Sequence, residues 1–274
     1  MLKQRVITAL ILAPLVLWAV LALPSVYLAG IFAIAVLLGA REWAILSGLT
    51  QLPGQLLYVL VLAISLYGGV LLLDHAGWFL WFLLACVGWW VVTIIRLSRF
   101  QVNQTLSGFS PAQAAEGIIV LATAWTALIS VHQYPQDGPL LLVFLLILIW
   151  LADIGAYFAG RRWGRVKLAP RVSPGKTREG VYGALLGALL CGIFLAWWQA
   201  LDIRQAPFAI LLCVLTALFS VVGDLFESML KRLRGVKDSS NLLPGHGGVL
   251  DRIDSLTAAA PIFLLGLIML DKLR

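Results

Sequence analysis

The chain has 274 residues, 61% of them hydrophobic and 12% charged, with a formal net charge of +7 and a mean hydropathy of +0.97. That composition excludes a soluble domain, and the gathering of apolar residues into long blocks separated by polar islands marks a polytopic membrane protein. The cysteines, Cys86, Cys191 and Cys213, all lie inside apolar blocks with no C-x-x-C or histidine partner nearby, which excludes a zinc site and a disulfide framework.

In chain order, the first apolar run follows Lys3 and Arg5 and continues from Val6 to Leu23 with no small-residue cleavage site, so it reads as an uncleaved span and not as a signal peptide. Stretches long enough to cross a bilayer then recur at about 25–40, 56–73, 78–95, 117–133, 139–158, 180–199, 207–224 and 256–271. The expected fold is all-α, with about nine transmembrane helices. With a cytoplasmic N-terminus, 17 Lys and Arg residues fall on the cytoplasmic side and only Arg204, Lys272 and Arg274 on the other, the bias that the positive-inside rule requires. Residues 1–150 have short loops with few charges and read as scaffold. Residues 151–274 bring ionisable groups into the spans themselves, where they are costly and usually functional, and carry two charged cytoplasmic loops, 160–180 and 228–255.

Asp153, in "WLADIGAYFAG", is a carboxylate inside the sixth span and is expected to face a polar cavity. The basic loop "GRRWGRVKLAPRVSPGKTREG" follows it, and its "SPGKT" is not a Walker A because Pro170 stands where that motif needs glycine. Ser173, Lys176 and Thr177 still precede the seventh span, where a helix N-terminus and a lysine suit a phosphate. At the end of the eighth span, Asp224, Glu227, Ser228 and Lys231 are spaced i, i+3, i+4 and i+7 and share one face if the helix continues. Asp251, Asp254 and Ser255 repeat the device at the start of the ninth. Carboxylates gathered in this way repel one another unless something positive sits among them, and hard oxygen ligands call for Mg²⁺ or a similar cation. The alternative is ordinary pairing with Arg232 and Arg252. Between the two helix ends lies "PGHGG", whose glycines let backbone N–H groups approach an anion; His246 is a proton donor, a phosphate ligand or simply a turn residue.

The stretch "SMLKRLRGVKDSSNLLPGHGGVLDRIDS", Ser228 to Ser255, closely resembles the signature of the phosphatidate cytidylyltransferases, the CDP-diacylglycerol synthases. "ADIGAY", "KLAPRVSPGKTREG", "GDLFES" and the opening "MLKQRVITALILAP" resemble further blocks of that family, with departures at Ile154 and Arg178. The resemblance implies a Mg²⁺-dependent transfer of the cytidylyl group of CTP to phosphatidate by an all-helical inner-membrane enzyme, expected here as a homodimer with no nucleic-acid partner. It implies Asp224 and Asp251 as metal ligands, completed or oriented by Asp238, Asp254 and Glu227, with a second cation left open. Lys231, Arg232, Lys237 and Arg252 would hold phosphates, beside Gly247, Gly248 and His246. A CDP-alcohol phosphotransferase would need D-G-x-x-A-R, which the chain lacks, and a transporter would predict broken helices in both halves.

Overall fold

The computed structural model describes residues 2–73, 75–101, 106–242 and 247–273, without the side chains of residues 2–9 and 76. Within them run α1 (Leu2–Ala22), α2 (Ser25–Leu46), α3 (Leu52–Leu73), α4 (Ala76–Ser98), α5 (Pro111–His132) and α6 (Gly138–Trp163). A hairpin, β1 (Lys167–Ala169) and β2 (Ser173–Thr177), follows, then α7 (Arg178–Trp198), α8 (Gln205–Leu233) and α9 (Leu250–Asp271). Eight of these helices are long and apolar enough to cross a membrane, and the described apolar part of α1 is Leu10–Ala22. The all-α polytopic expectation is met.

The helices outrun the apolar blocks that predict them. The second span reads as ending near residue 40, but α2 continues to Leu46; α8 continues past Asp224 to Leu233, and α9 begins at Leu250, ahead of the apolar run at 256. Hydropathy marks where a helix meets lipid, whereas its backbone hydrogen bonds persist through polar residues at the interface. The extra turns carry the functional side chains.

One set of helix ends is tied together by Arg234, which caps α8. Its guanidinium donates to the carbonyls of Leu46 (2.6 Å), Leu106 (2.9 Å) and Gly108 (2.7 Å) and to Gln113 Oε1 (3.2 Å). The ends of α2 and α8 and the start of α5 therefore share one side. At the opposite ends, buried His132 bridges Val20 O and Ser25 Oγ, each at 2.9 Å.

Two sites of close backbone approach set the helix packing around the polar region. A Cβ on Gly155 of α6 would stand 2.5 Å from Gly183 O of α7, and one on Gly223 of α8 would stand 2.5 Å from Asp254 O of α9. Small residues at such crossings let membrane helices touch backbone to backbone. α9 is central: it packs against α2, α4, α5, α6 and α8. Beside it, Phe226 makes edge-to-face contacts with Trp89 (5.2 Å) and Trp90 (5.7 Å), an apolar seal under the charged ends of α8 and α9.

Candidate active site

The stripe read on the eighth span is real: α8 carries Asp224, Glu227, Ser228 and Lys231 on one continuous helix. Lys231 Nζ lies 3.2 Å from Glu227 Oε2, one turn back, and 2.5 Å from Asp251 Oδ1 of α9. Ser228 Oγ donates to Asp224 Oδ1 at 3.3 Å. The other oxygen of Asp224 meets a side chain from the second charged loop, Lys176 Nζ, at 2.6 Å. The two loops thus converge, and the pairing differs from the simple alternative: the carboxylates take Lys231 and Lys176, not Arg232 and Arg252.

Lys176 is aimed by the hairpin, which the sequence presents only as a loop. β1 and β2 pair antiparallel with Lys167 opposite Thr177 and Ala169 opposite Ser173. At the tip, Val172 is buried in the apolar core and its carbonyl accepts from Arg232 Nε at 3.2 Å. At the base, the buried Thr177 hydroxyl accepts from Gly180 N at 3.1 Å and N-caps α7. Thr177 and Arg232, both expected to bind substrate, are thereby engaged in holding the hairpin. Ser173 begins β2 and is half-buried.

Asp251 is surrounded by donors. Its Oδ2 accepts from Gly248 N (2.8 Å), Ser239 N (3.1 Å) and Ser239 Oγ (2.9 Å), and Oδ1 faces Lys231. Gly247 adopts φ +82°, and a Cβ there would stand 2.6 Å from Asp251 Oδ2, so glycine is required both for the backbone and for space. Of the glycine-rich turn, Pro244 to His246 lie outside the described residues, and Gly248 points its N–H at an anion. That anion is the protein's own carboxylate.

Paired acids and lysines from α8, α9 and the hairpin thus meet in one patch. A family model described as the cytidylyltransferase family matches residues 3–270. The chain belongs to the cytidylyltransferase family. It is similar to the protein named phosphatidate cytidylyltransferase of Pseudomonas aeruginosa, 43% identical over 263 residues and 96% of each chain. The protein of the same name from Haemophilus influenzae is 38% identical over 96% of this chain and 97% of its own, and that from Brucella suis 35% identical over 96% and 92%. By family the chain is an enzyme, a nucleotidyltransferase of the membrane.

The other residues expected in this cytidylyltransferase site are distributed around the cluster. Asp254 follows Asp251 by one turn of α9, and its carboxyl lies within reach of those of Asp224 and Glu227. Asp153 presents an exposed face of α6 toward the charges of Lys176, Asp224 and Arg252. Lys237, Asp238 and Arg252 are exposed, and none of them forms an ion pair among the described residues. Gly248 is packed against Ser239 and Glu42, and His246 lies outside the described residues.

Whether the acids suit a metal turns on Glu227. Both its carboxylate oxygens are buried and accept no hydrogen bond, so the Lys231 contact is an ion pair without hydrogen-bond geometry. Buried carboxyl oxygens of Glu227, beside Asp254, are ligands of the hard type that Mg²⁺ prefers. Among the described residues no three acidic, His or Cys side chains stand as a preformed metal site. Lys176 and Lys231 supply the positive charge in their midst.

Two residues that sequence reasoning missed hold this site. Arg234 belongs to the basic run after α8 but is spent on carbonyls. Glu42 lies beyond the apolar part of the second span, in "GAREWAILS", and accepts four hydrogen bonds from the loop and helix that bear Asp251. Its only signal is a carboxylate at a membrane helix end, with no spacing to say what it meets.

Proposed function

We propose that this enzyme transfers the cytidylyl group of CTP to phosphatidate, giving CDP-diacylglycerol and pyrophosphate at the cytoplasmic face of the inner membrane. The observation that carries this reading is the meeting of Lys176 and Lys231 with Asp224, Glu227 and Asp251 at one end of the bundle, where a soluble triphosphate and a lipid phosphate can both arrive. The family and the names of the relatives supply the substrates.

In the proposed reaction a phosphatidate oxygen, already anionic at neutral pH, attacks the α-phosphorus of CTP. A new O–P bond forms as the bond from the α-phosphorus to the bridging oxygen breaks, and pyrophosphate leaves with that electron pair. Repulsion between the two anions is the main obstacle. Lys176 and Lys231, with Lys237 and Arg252 at the rim, would neutralise the phosphates and hold them in line. Asp224, Asp251, Glu227 and Asp254 would hold Mg²⁺, oriented by Asp238. When bound, the cation supplies further neutralisation of the polyphosphate charge. No cysteine lies in the charged loops, and Ser228 is turned to a carboxylate without an adjacent base, so direct displacement needs no covalent enzyme intermediate.

The test is incubation of detergent-purified protein with phosphatidate, α-labelled CTP and Mg²⁺. Labelled lipid is expected, dependent on phosphatidate and lost with EDTA. Label remaining in the aqueous phase would overturn the reading. With chiral α-thio-CTP, inversion at phosphorus is expected, and net retention would require a two-step route.

A further inference from the structure

Glu42 belongs to α2, in the half of the chain that reads as scaffold, yet its carboxylate reaches the segment carrying Asp251. It is only 4% exposed. Oε1 accepts from the Ser240 hydroxyl (2.5 Å) and Val249 N (3.0 Å), and Oε2 from the Ser239 hydroxyl (3.0 Å) and Leu250 N (2.8 Å). Val249 is the N-cap of α9 and has no side chain able to cap. First-turn N–H groups lack helical acceptors and carry the positive end of the helix dipole, so a carboxylate from another helix does the capping here. No ion pair accompanies Glu42 among the described residues; the four donors hold its charge.

The same donors lead to Asp251. Ser239 Oγ stands 3.0 Å from Glu42 Oε2 and 2.9 Å from Asp251 Oδ2, with one proton for the two carboxylates. Gly248, whose N–H binds Asp251 Oδ2, is packed so closely that a Cβ there would collide with both Ser239 Oγ and Glu42 Oε2. With Oδ2 fixed in this way, Oδ1 is directed at Lys231. A rotation of Asp251 would break contacts with a segment that Glu42 holds on both of its flanks.

Building on the cytidylyl-transfer reading, we infer that Glu42 is a positioning residue: it fixes Ser239, Ser240 and the start of α9 so that Asp251 and Lys231 keep the orientation turnover requires. It touches no substrate in this scheme. It acts through Ser239 and the backbone.

The test is a double-mutant cycle of Glu42→Gln and Ser239→Ala in purified full-length protein, assayed with labelled CTP and phosphatidate. Glu42→Gln keeps the side-chain length but turns one acceptor into a donor facing donors. It is expected to lower kcat about 10- to 100-fold, the range for residues that orient a functional group, with KM for CTP changed less than about threefold. Ser239→Ala should lower kcat as well, and the double variant should lose no more than about the worse single one, since both act through one chain of contacts. Amide hydrogen exchange should rise at Val249 and Leu250 in Glu42→Gln while the rest of α9 keeps its protection. Full kcat in Glu42→Gln, a change confined to KM, or independent, multiplying losses would overturn the inference. If Glu42→Gln fails to accumulate in the membrane, Ser239→Ala decides: reduced kcat at an unchanged unfolding temperature supports it, and unchanged kcat overturns it. Failure of the wild-type protein to make labelled lipid would instead overturn the reaction, with the exchange experiment still testing the contact itself.

Discussion

At the scale of single residues, the two aspartates at the head of the site are held in different ways, and their variants should differ. Asp224 pairs with Lys176 on a partly exposed hairpin, so Asp224→Asn is expected to abolish turnover with little change in stability. Asp251 pairs with a buried lysine that also faces Glu227, and breaking a buried pair costs about 3–5 kcal/mol. Asp251→Asn should therefore lose both turnover and thermal stability, measured by labelled-lipid formation and by unfolding in detergent. Equal unfolding temperatures for the two variants would contradict this difference. Lys176→Ala should reduce kcat/KM for CTP on the order of 10²-fold, the effect of removing one preorganised contact to developing charge; a change in lipid dependence alone would assign Lys176 to phosphatidate. Much of this is legible in the sequence, where the i, i+3, i+4, i+7 spacing by itself puts Asp224, Glu227, Ser228 and Lys231 on one face. Glu42 is not legible, because its partners are backbone N–H groups and serines some 200 positions away along the chain. No periodicity records such a pairing.

At the scale of elements, the hairpin and α7 are joined as a unit because Thr177 ends one and caps the other. What locks that unit to α6 is the Gly155–Gly183 crossing. Gly183→Val would drive a branched side chain into Gly155 O and against Ala159, so the two helices must separate. A loss of about 1–3 kcal/mol is expected from such overpacking, accompanied by reduced activity as Lys176 is carried away from Asp224. Gly68→Ala is the control, since nothing lies within 4 Å of a Cβ there; it should leave both unfolding temperature and activity unchanged. Equal effects of the two substitutions would remove the crossing from the account. The helices themselves are plain from the apolar blocks, and their ends are not, because polar interfacial turns add no hydropathy signal. The hairpin is invisible for another reason: strands of 3 and 5 residues built largely from Lys, Pro and Gly show no alternation to read.

At the scale of the whole molecule, the alternation of helix ends places the hairpin, Arg234 and the paired acids on one side and Lys272 on the other. Orientation can be read with single cysteines after Cys86, Cys191 and Cys213, all buried, are replaced by alanine. Lys272→Cys should react with an impermeant maleimide in intact spheroplasts of a bacterial host, and Arg99→Cys only after permeabilisation. The reverse pattern would invert the topology. The central place of α9 has a further consequence, in time. A chain leaves the ribosome from its N-terminus, so the helix that α2, α4, α5, α6 and α8 enclose is made after all of them. Glu42 can meet the Ser239 and Ser240 hydroxyls first, and gains the Val249 and Leu250 N–H groups only when α9 emerges. Chains cut short before residue 250 would carry Lys176, Asp224, Glu227 and Lys231 but lack Asp251, the α9 partner of Lys231.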